Sequence, residues 1–157
     1  MQGDLASIGI FSPIRTVYAE STVTPHTPKD RTMDKPTQYT PFVARVFLAA
    51  LFLLGGIGKL GDVAGFAGYV SMGGLPAFLA WPAILFEIAV GLAMIVGYQT
   101  RIMALLAAGF CTVTALLYHS NFADQVQMIM FLKNLGLAGG FLMLFTHGAG
   151  RLALDKA

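Results

Sequence analysis

The stretch Leu75–Gly97, LPAFLAWPAILFEIAVGLAMIVG, is 23 residues of nearly unbroken apolar sequence with one charge, Glu87, near its middle. A soluble helix shows a polar face every 3.6 residues, and this one has none. At about 1.5 Å per residue it reaches roughly 34 Å, enough to cross a ~30 Å hydrocarbon core with some tilt. Eleven of its residues are Leu, Ile, Phe or Val. Together they favour insertion by on the order of 3 to 7 kcal/mol, against a cost of about 2.5 to 3.5 kcal/mol for a central acid. The helix can therefore insert. Glu87 is expected to face a bundle interior, a partner or water, and not lipid.

Composition extends the argument to the whole chain. It is 56% hydrophobic and 11% charged, where soluble domains are about 25% charged. The mean hydropathy is +0.70. The length, 157 residues, suits one bundle. A net charge of +2 gives little support to a nucleic-acid partner. Cys111 is the single cysteine and lies in apolar sequence, so no internal disulfide can form and the thiol reads as a small core filler.

Four apolar segments follow one another. The first helix is expected over about Phe42–Leu60, with Arg45 and Lys59 placed to snorkel to the two interfaces and Gly55, Gly56 and Gly58 allowing close backbone approach. Gly61–Gly74 reads as a loop or a re-entrant, partly helical segment. Leu75–Gly97 is the second helix, which Pro82 is expected to bend. A polar turn, Tyr98–Arg101, leads to the third helix, about Arg101–Tyr118. A loop at His119–Asp124 precedes the fourth, about Val126–Thr146. The fold class is thus all-α, a four-helix transmembrane bundle over residues 41–157.

Residues 1–40 differ. They carry four prolines, many Ser and Thr, mixed charge and no sustained apolar period, which reads as a disordered polar extension. They lack the basic start and continuous apolar run of a cleavable signal peptide. Met33 opens a short polar lead directly before the first helix and is a candidate natural start, testable by N-terminal sequencing. Four crossings put both ends of the chain on one side. Eight of the ten Lys and Arg residues fall there, with Lys59 and Lys133 the exceptions, so both termini are expected in the cytoplasm.

The intramembrane polar groups gather in the outer half. Glu87 is near mid-depth, Lys133 lies roughly 10 Å into the fourth helix, and Lys59 and His119 stand at outer helix ends. Glu87 is expected to pair with Lys133, or to bond Asn134, if the second and fourth helices are neighbours. An acid and a base here serve either a ligand cavity for proton-linked or redox chemistry or a structural ion pair that sets helix register. His119 is an interfacial anchor or a proton-handling ligand contact. His119 and His147 are a membrane thickness apart and cannot share a haem; no CxxC, CxxCH, HExxH or phosphate-loop spacing is present, so no metal site is expected. On the third helix Arg101, Ala104, Ala108, Cys111, Thr112, Ala115 and His119 share a face expected to meet the bundle, leaving Ile102, Leu106 and Phe110 toward lipid. Gly136, Gly139 and Gly140 read as a close-packing patch on the fourth.

In order along the chain, Arg45, GGIGKL, GGLP, FEIAVGLAMIVGYQTR, His119, FLKNLGLAGG and the closing GAGRLALD resemble the DoxX family of small bacterial membrane proteins, over about Thr40–Asp155. The resemblance implies a multi-pass protein of the bacterial inner membrane. It implies association with membrane redox chemistry, such as thiosulfate oxidation with quinone as acceptor, or with oxidoreductase complexes of oxidative-stress defence. On that reading Glu87, Lys133, His119, Asn134 and Lys59 handle protons or hold a quinone head group, and Arg101 and Asp155 act together on the cytoplasmic side. No redox centre is evident and no covalently bound cofactor is expected, so electrons would come from a redox partner subunit or from the substrate; a homo-oligomer is open. A scaffold recruiting soluble oxidoreductases is the alternative, and a small-solute transporter a weaker one, since four helices are few for alternating access.

Overall fold

The computed structural model describes residues 35–155, which are helical throughout apart from turns and the tail. Helix α1 is Lys35–Lys59, α2 Val63–Met72, α3 Ala80–Val96, α4 Thr100–Tyr118 and α5 Gln125–His147; single 3-10 turns at Leu60–Asp62 and Ala77–Leu79 lead into α2 and α3. Among the described residues, four continuous stretches are long and apolar enough to cross a membrane: Tyr39–Met72, Ala77–Val96, Thr100–Tyr118 and Gln125–His147.

Three local results differ from the sequence reading. Helix α1 starts at Lys35, so it takes up the last residues of the expected extension; Pro36 sits in its first turn, where a missing N–H leaves no bond unmade. The rest of that extension, including Met33, lies outside the described residues. Gly61–Gly74 is mostly helix, because Asp62 caps α2 by accepting the Gly65 N–H at 2.8 Å. The stretch Tyr39–Met72 is 34 residues, about 51 Å at helical rise, well beyond a ~30 Å core, so α2 belongs at the membrane boundary. Pro82 falls in the first turn of α3 and starts that helix without bending it.

Helices α1 and α3 pack along their lengths, as do α4 and α5; α3 against α4 and α1 against α5 close the ring, leaving α3 and α5 on a diagonal. The α1–α3 seam is tight because Gly91 has no Cβ. One added there would lie 2.7 Å from the Leu53 Cβ and 2.8 Å from its backbone nitrogen. Gly56 serves the same seam, while Gly58, Gly136 and Gly139 face open space, against expectation; Gly140 alone of the α5 patch meets a neighbour, Leu48.

Every span contributes a ring to one aromatic centre. Phe52 of α1 lies 6.5 Å from Phe86, 5.8 Å from Phe110 and 5.2 Å from Phe141, centroid to centroid. Phe110 thus turns inward, because it fills the space opened by the small Ala107, Ala108 and Cys111 beside it. The rest of the expected α4 face holds at Ala104, Ala108, Cys111 and Ala115, whereas Arg101 and Thr112 are exposed. Ile102 and Leu106 are exposed as expected.

The chain after α5 does not leave the bundle. It folds back so that Leu154 and Asp155 donate their N–H groups to Val96 and Gly97. Arg45 is fully buried at this end of the bundle, donates to the Leu152 carbonyl and lies over the Phe42 ring. Gly97 takes φ +71°, and a Cβ there would strike both Arg45 and Ala153. Below, the tail end is the end closed by residues 148–155, and the cavity end is the opposite one.

Candidate functional site

The site is built from two helical stripes. On α1, Arg45, Ala49, Phe52, Gly56 and Lys59 recur at spacings of four and three, so one face carries an arginine at the tail end and a lysine at the cavity end. On α3, Ala80, Ile84, Glu87, Val90, Gly91 and Met94 are buried on a matching stripe. The Gly56 and Gly91 contacts bring the two stripes together and set Lys59 beside Glu87. Lys59 Nζ and Glu87 Oε2 are 2.5 Å apart, with side-chain exposures of 28% and 8%. Lys59 also donates to the Gly55 carbonyl at 3.4 Å and lies 5.1 Å from the Phe66 ring centre.

The partner of Glu87 is therefore Lys59, not Lys133 or Asn134. The reason is topological: α3 and α5 are diagonal, while α1 and α3 are in contact. Lys59 turns inward to the acid where the sequence reading sent it to an interface.

The pair borders a cavity of about 1070 Å³ whose floor is formed by Phe52, Phe86 and Phe110. Lys59, Glu87, His119, Lys133 and Asn134, all named from sequence, border this cavity, and among the described residues Lys59 and Glu87 are the pair of them joined through their side chains. Phe47, Leu51, Leu54 and Val113 line it and are also exposed, so its mouth is rimmed by apolar side chains on the outer surface of the bundle. Its far wall is aromatic. Tyr69 of α2 stacks on Tyr118 of α4 at 4.6 Å, and the Tyr118 hydroxyl donates to the Val70 carbonyl at 3.1 Å. These contacts tie α2 across the cavity end. Sequence reasoning missed this wall, since only tertiary structure brings Tyr69 to Tyr118.

Each polar group has a distinct setting. His119 Nδ1 is 2.8 Å from Gln127 Oε1. Asn134 donates to the Met130 carbonyl one turn earlier at 3.1 Å. Cys111 is buried and borders the cavity. Among the described residues no three His, Cys, Asp or Glu converge.

Among the described residues Arg101 and Asp155 form no ion pair with each other. The Asp155 carboxylate accepts the N–H groups of Gln99 and Thr100, both at 2.7 Å, and so caps α4 from 55 residues further along the chain. Gln99, at φ +45°, is the residue that aims those two donors. Desolvation pushes the Asp155 carboxyl up, but the Thr100 and Gln99 bonds and the nearby Arg45 charge outweigh it and hold it below the ordinary value. Arg101 is exposed beside Gly148. Arg45 is the residue the sequence reading misplaced; its spacing from Ala49 and Phe52 was the available signal.

Comparison with known proteins places the chain. The DoxX family model matches residues 40–120. The chain is 44% identical over 114 residues to inner membrane protein YqjF of Escherichia coli K12, covering 73% of this chain and 88% of the relative. It is 30% identical over 121 residues to inner membrane protein YphA of the same organism, covering 73% and 86%. No solved structure matches. With a four-span helical bundle, a family match over more than half its length and two inner-membrane relatives, this chain belongs to the DoxX family.

Proposed function

We propose that the chain is the quinone-binding membrane subunit of a redox system, with the Lys59–Glu87 cavity as the binding site. The observation that carries this reading is the cavity's division into an apolar mouth and a polar inner border. An amphipathic head on an apolar tail fits that division, and it can enter from the bilayer. Lys59, Lys133 and Asn134 would donate to the head group's oxygens. Glu87, hydrogen-bonded to Lys59, would take or give a proton beside it. His119, tied to Gln127 at the cavity end, would relay that proton toward water. A quinone, when bound, supplies two-electron, two-proton chemistry; the electrons would come from a partner subunit or soluble donor. The eight-to-two distribution of basic residues supports a cytoplasmic side for both termini, and so for the tail end.

A scaffold recruiting soluble enzymes would depend less on Glu87 than on the cytoplasmic face, with Arg101, Arg151 and the Asp155 carboxylate. That carboxylate is instead engaged by the α4 N-terminus, which favours the cavity reading.

The test is quinone binding and quinone-linked electron transfer in membranes containing wild type or Glu87→Gln. Loss of electron transfer with retained folding is expected. Full activity in Glu87→Gln would remove the proposed role of the acid.

A further inference from the structure

The charges near the cavity do not balance. Four acids lie in the described residues. Asp62, Asp124 and Asp155 cap helix N-termini, and Glu87 is paired with Lys59. Lys133 also borders the cavity, and among the described residues it has no hydrogen bond and no ion pair. It stands eight residues after Gln125, the first residue of α5, about 12 Å along the helix axis, with its side chain exposed at the cavity border. An ammonium inside an apolar span and without a counter-charge is costly, and such residues mark ligand paths.

We infer that the cavity's ligand brings the missing negative charge: it is an anionic amphiphile whose acidic head pairs with Lys133. This rests on the cavity being the ligand site proposed above, and it adds the charge of the ligand. Glu87 does not repel such a head strongly, because Lys59 neutralises it at 2.5 Å. The Asn134 amide, which already donates to Met130, keeps a second N–H for the head. The aromatic floor takes the ring or chain beneath it.

The experiment measures binding by calorimetry in nanodiscs of uncharged phosphatidylcholine, using two matched pairs. One pair is a long-chain alkyl naphthoquinone with and without an acidic enolic hydroxyl. The other is dodecyl phosphate and dodecanol. Wild type is expected to prefer the acid of each pair by about tenfold or more, the contribution of a charge-assisted hydrogen bond. Lys133→Gln should erase the preference, lowering the acid's affinity more than the neutral member's, and Lys133→Arg should keep it. Competition by inorganic phosphate would show that a free anion suffices; its failure to compete would assign recognition to the amphiphile. Equal binding of both naphthoquinones and of both dodecyl compounds overturns the inference while leaving the quinone reading intact. Lys133-dependent binding of dodecyl phosphate with no binding of either naphthoquinone upholds the inference and refutes the quinone reading. A preference that survives Lys133→Gln, or no binding in any arm, overturns it.

Discussion

Replacing Lys59 with Met tests the central contact through an asymmetry between its two partners. Glu87 is 8% exposed, and its Oε2 lies 2.5 Å from Nζ. Removing one partner of a buried pair costs about 3–5 kcal/mol, because the other is left charged in a low dielectric. Lys59 is 28% exposed, so screening reduces this to about 2–3 kcal/mol for Lys59→Met. Glu87→Gln differs. Lys59 is the last residue of α1, and its freed ammonium can swing to the boundary, so the loss is about 1 kcal/mol. The double variant Lys59→Met/Glu87→Gln leaves no orphan charge and should be more stable than Lys59→Met alone, with a coupling of about 1–2 kcal/mol. The assay is unfolding in mixed micelles with rising dodecyl sulfate, followed by circular dichroism. Equal losses for the two single variants, or additive effects in the double, would refute the reasoning, since the pair would then be a loose surface contact.

Three further outcomes follow from the same packing. Gly91→Ala should lower stability by about 1–3 kcal/mol through the clash with Leu53, whereas Gly136→Ala, facing open space, should stay within about 0.5 kcal/mol in the same titration. Asp155→Asn should lose about 1–2 kcal/mol at neutral pH through the α4 cap. Because the Asp155 carboxyl is held below its ordinary 3.8, its contribution is fully present above that value and lost as pH falls through the lower folded one, so wild type and Asp155→Asn should converge only in strong acid, read as tail proteolysis against pH. Lys133→Met should leave ligand-free stability unchanged or raise it, as a thermal midpoint, since it removes a cation with no partner among the described residues; a loss of more than about 1 kcal/mol would show that Lys133 is structural.

The four spans were legible because membrane insertion depends on length and apolarity, which need no tertiary information. The polar residues of the cavity were legible for a related reason. Charged and amide groups within apolar sequence are too costly to face lipid, so Glu87, Lys133 and Asn134 stood out individually. Their pairing did not. Depth alone put Lys133 within reach of Glu87, but which helices adjoin is set by side-chain packing, above all at Gly56 and Gly91, and those contacts chose α1. Arg45 shows the same limit from the other direction. Near a helix start, an arginine can snorkel or turn inward, and a tail that returns past Gly97 to offer the Leu152 carbonyl decides the matter.

By itself, then, the sequence determined an integral membrane protein of four apolar helices with polar groups that must be hidden from lipid, because the free energy of transfer into hydrocarbon is nearly a sum over residues. Only the tertiary structure decided that Lys59 neutralises Glu87, that Asp155 caps a helix 55 residues earlier, and that Lys133 is left facing the cavity. Those outcomes depend on which surfaces interlock, and interlocking is a property of pairs of helices that no single segment contains.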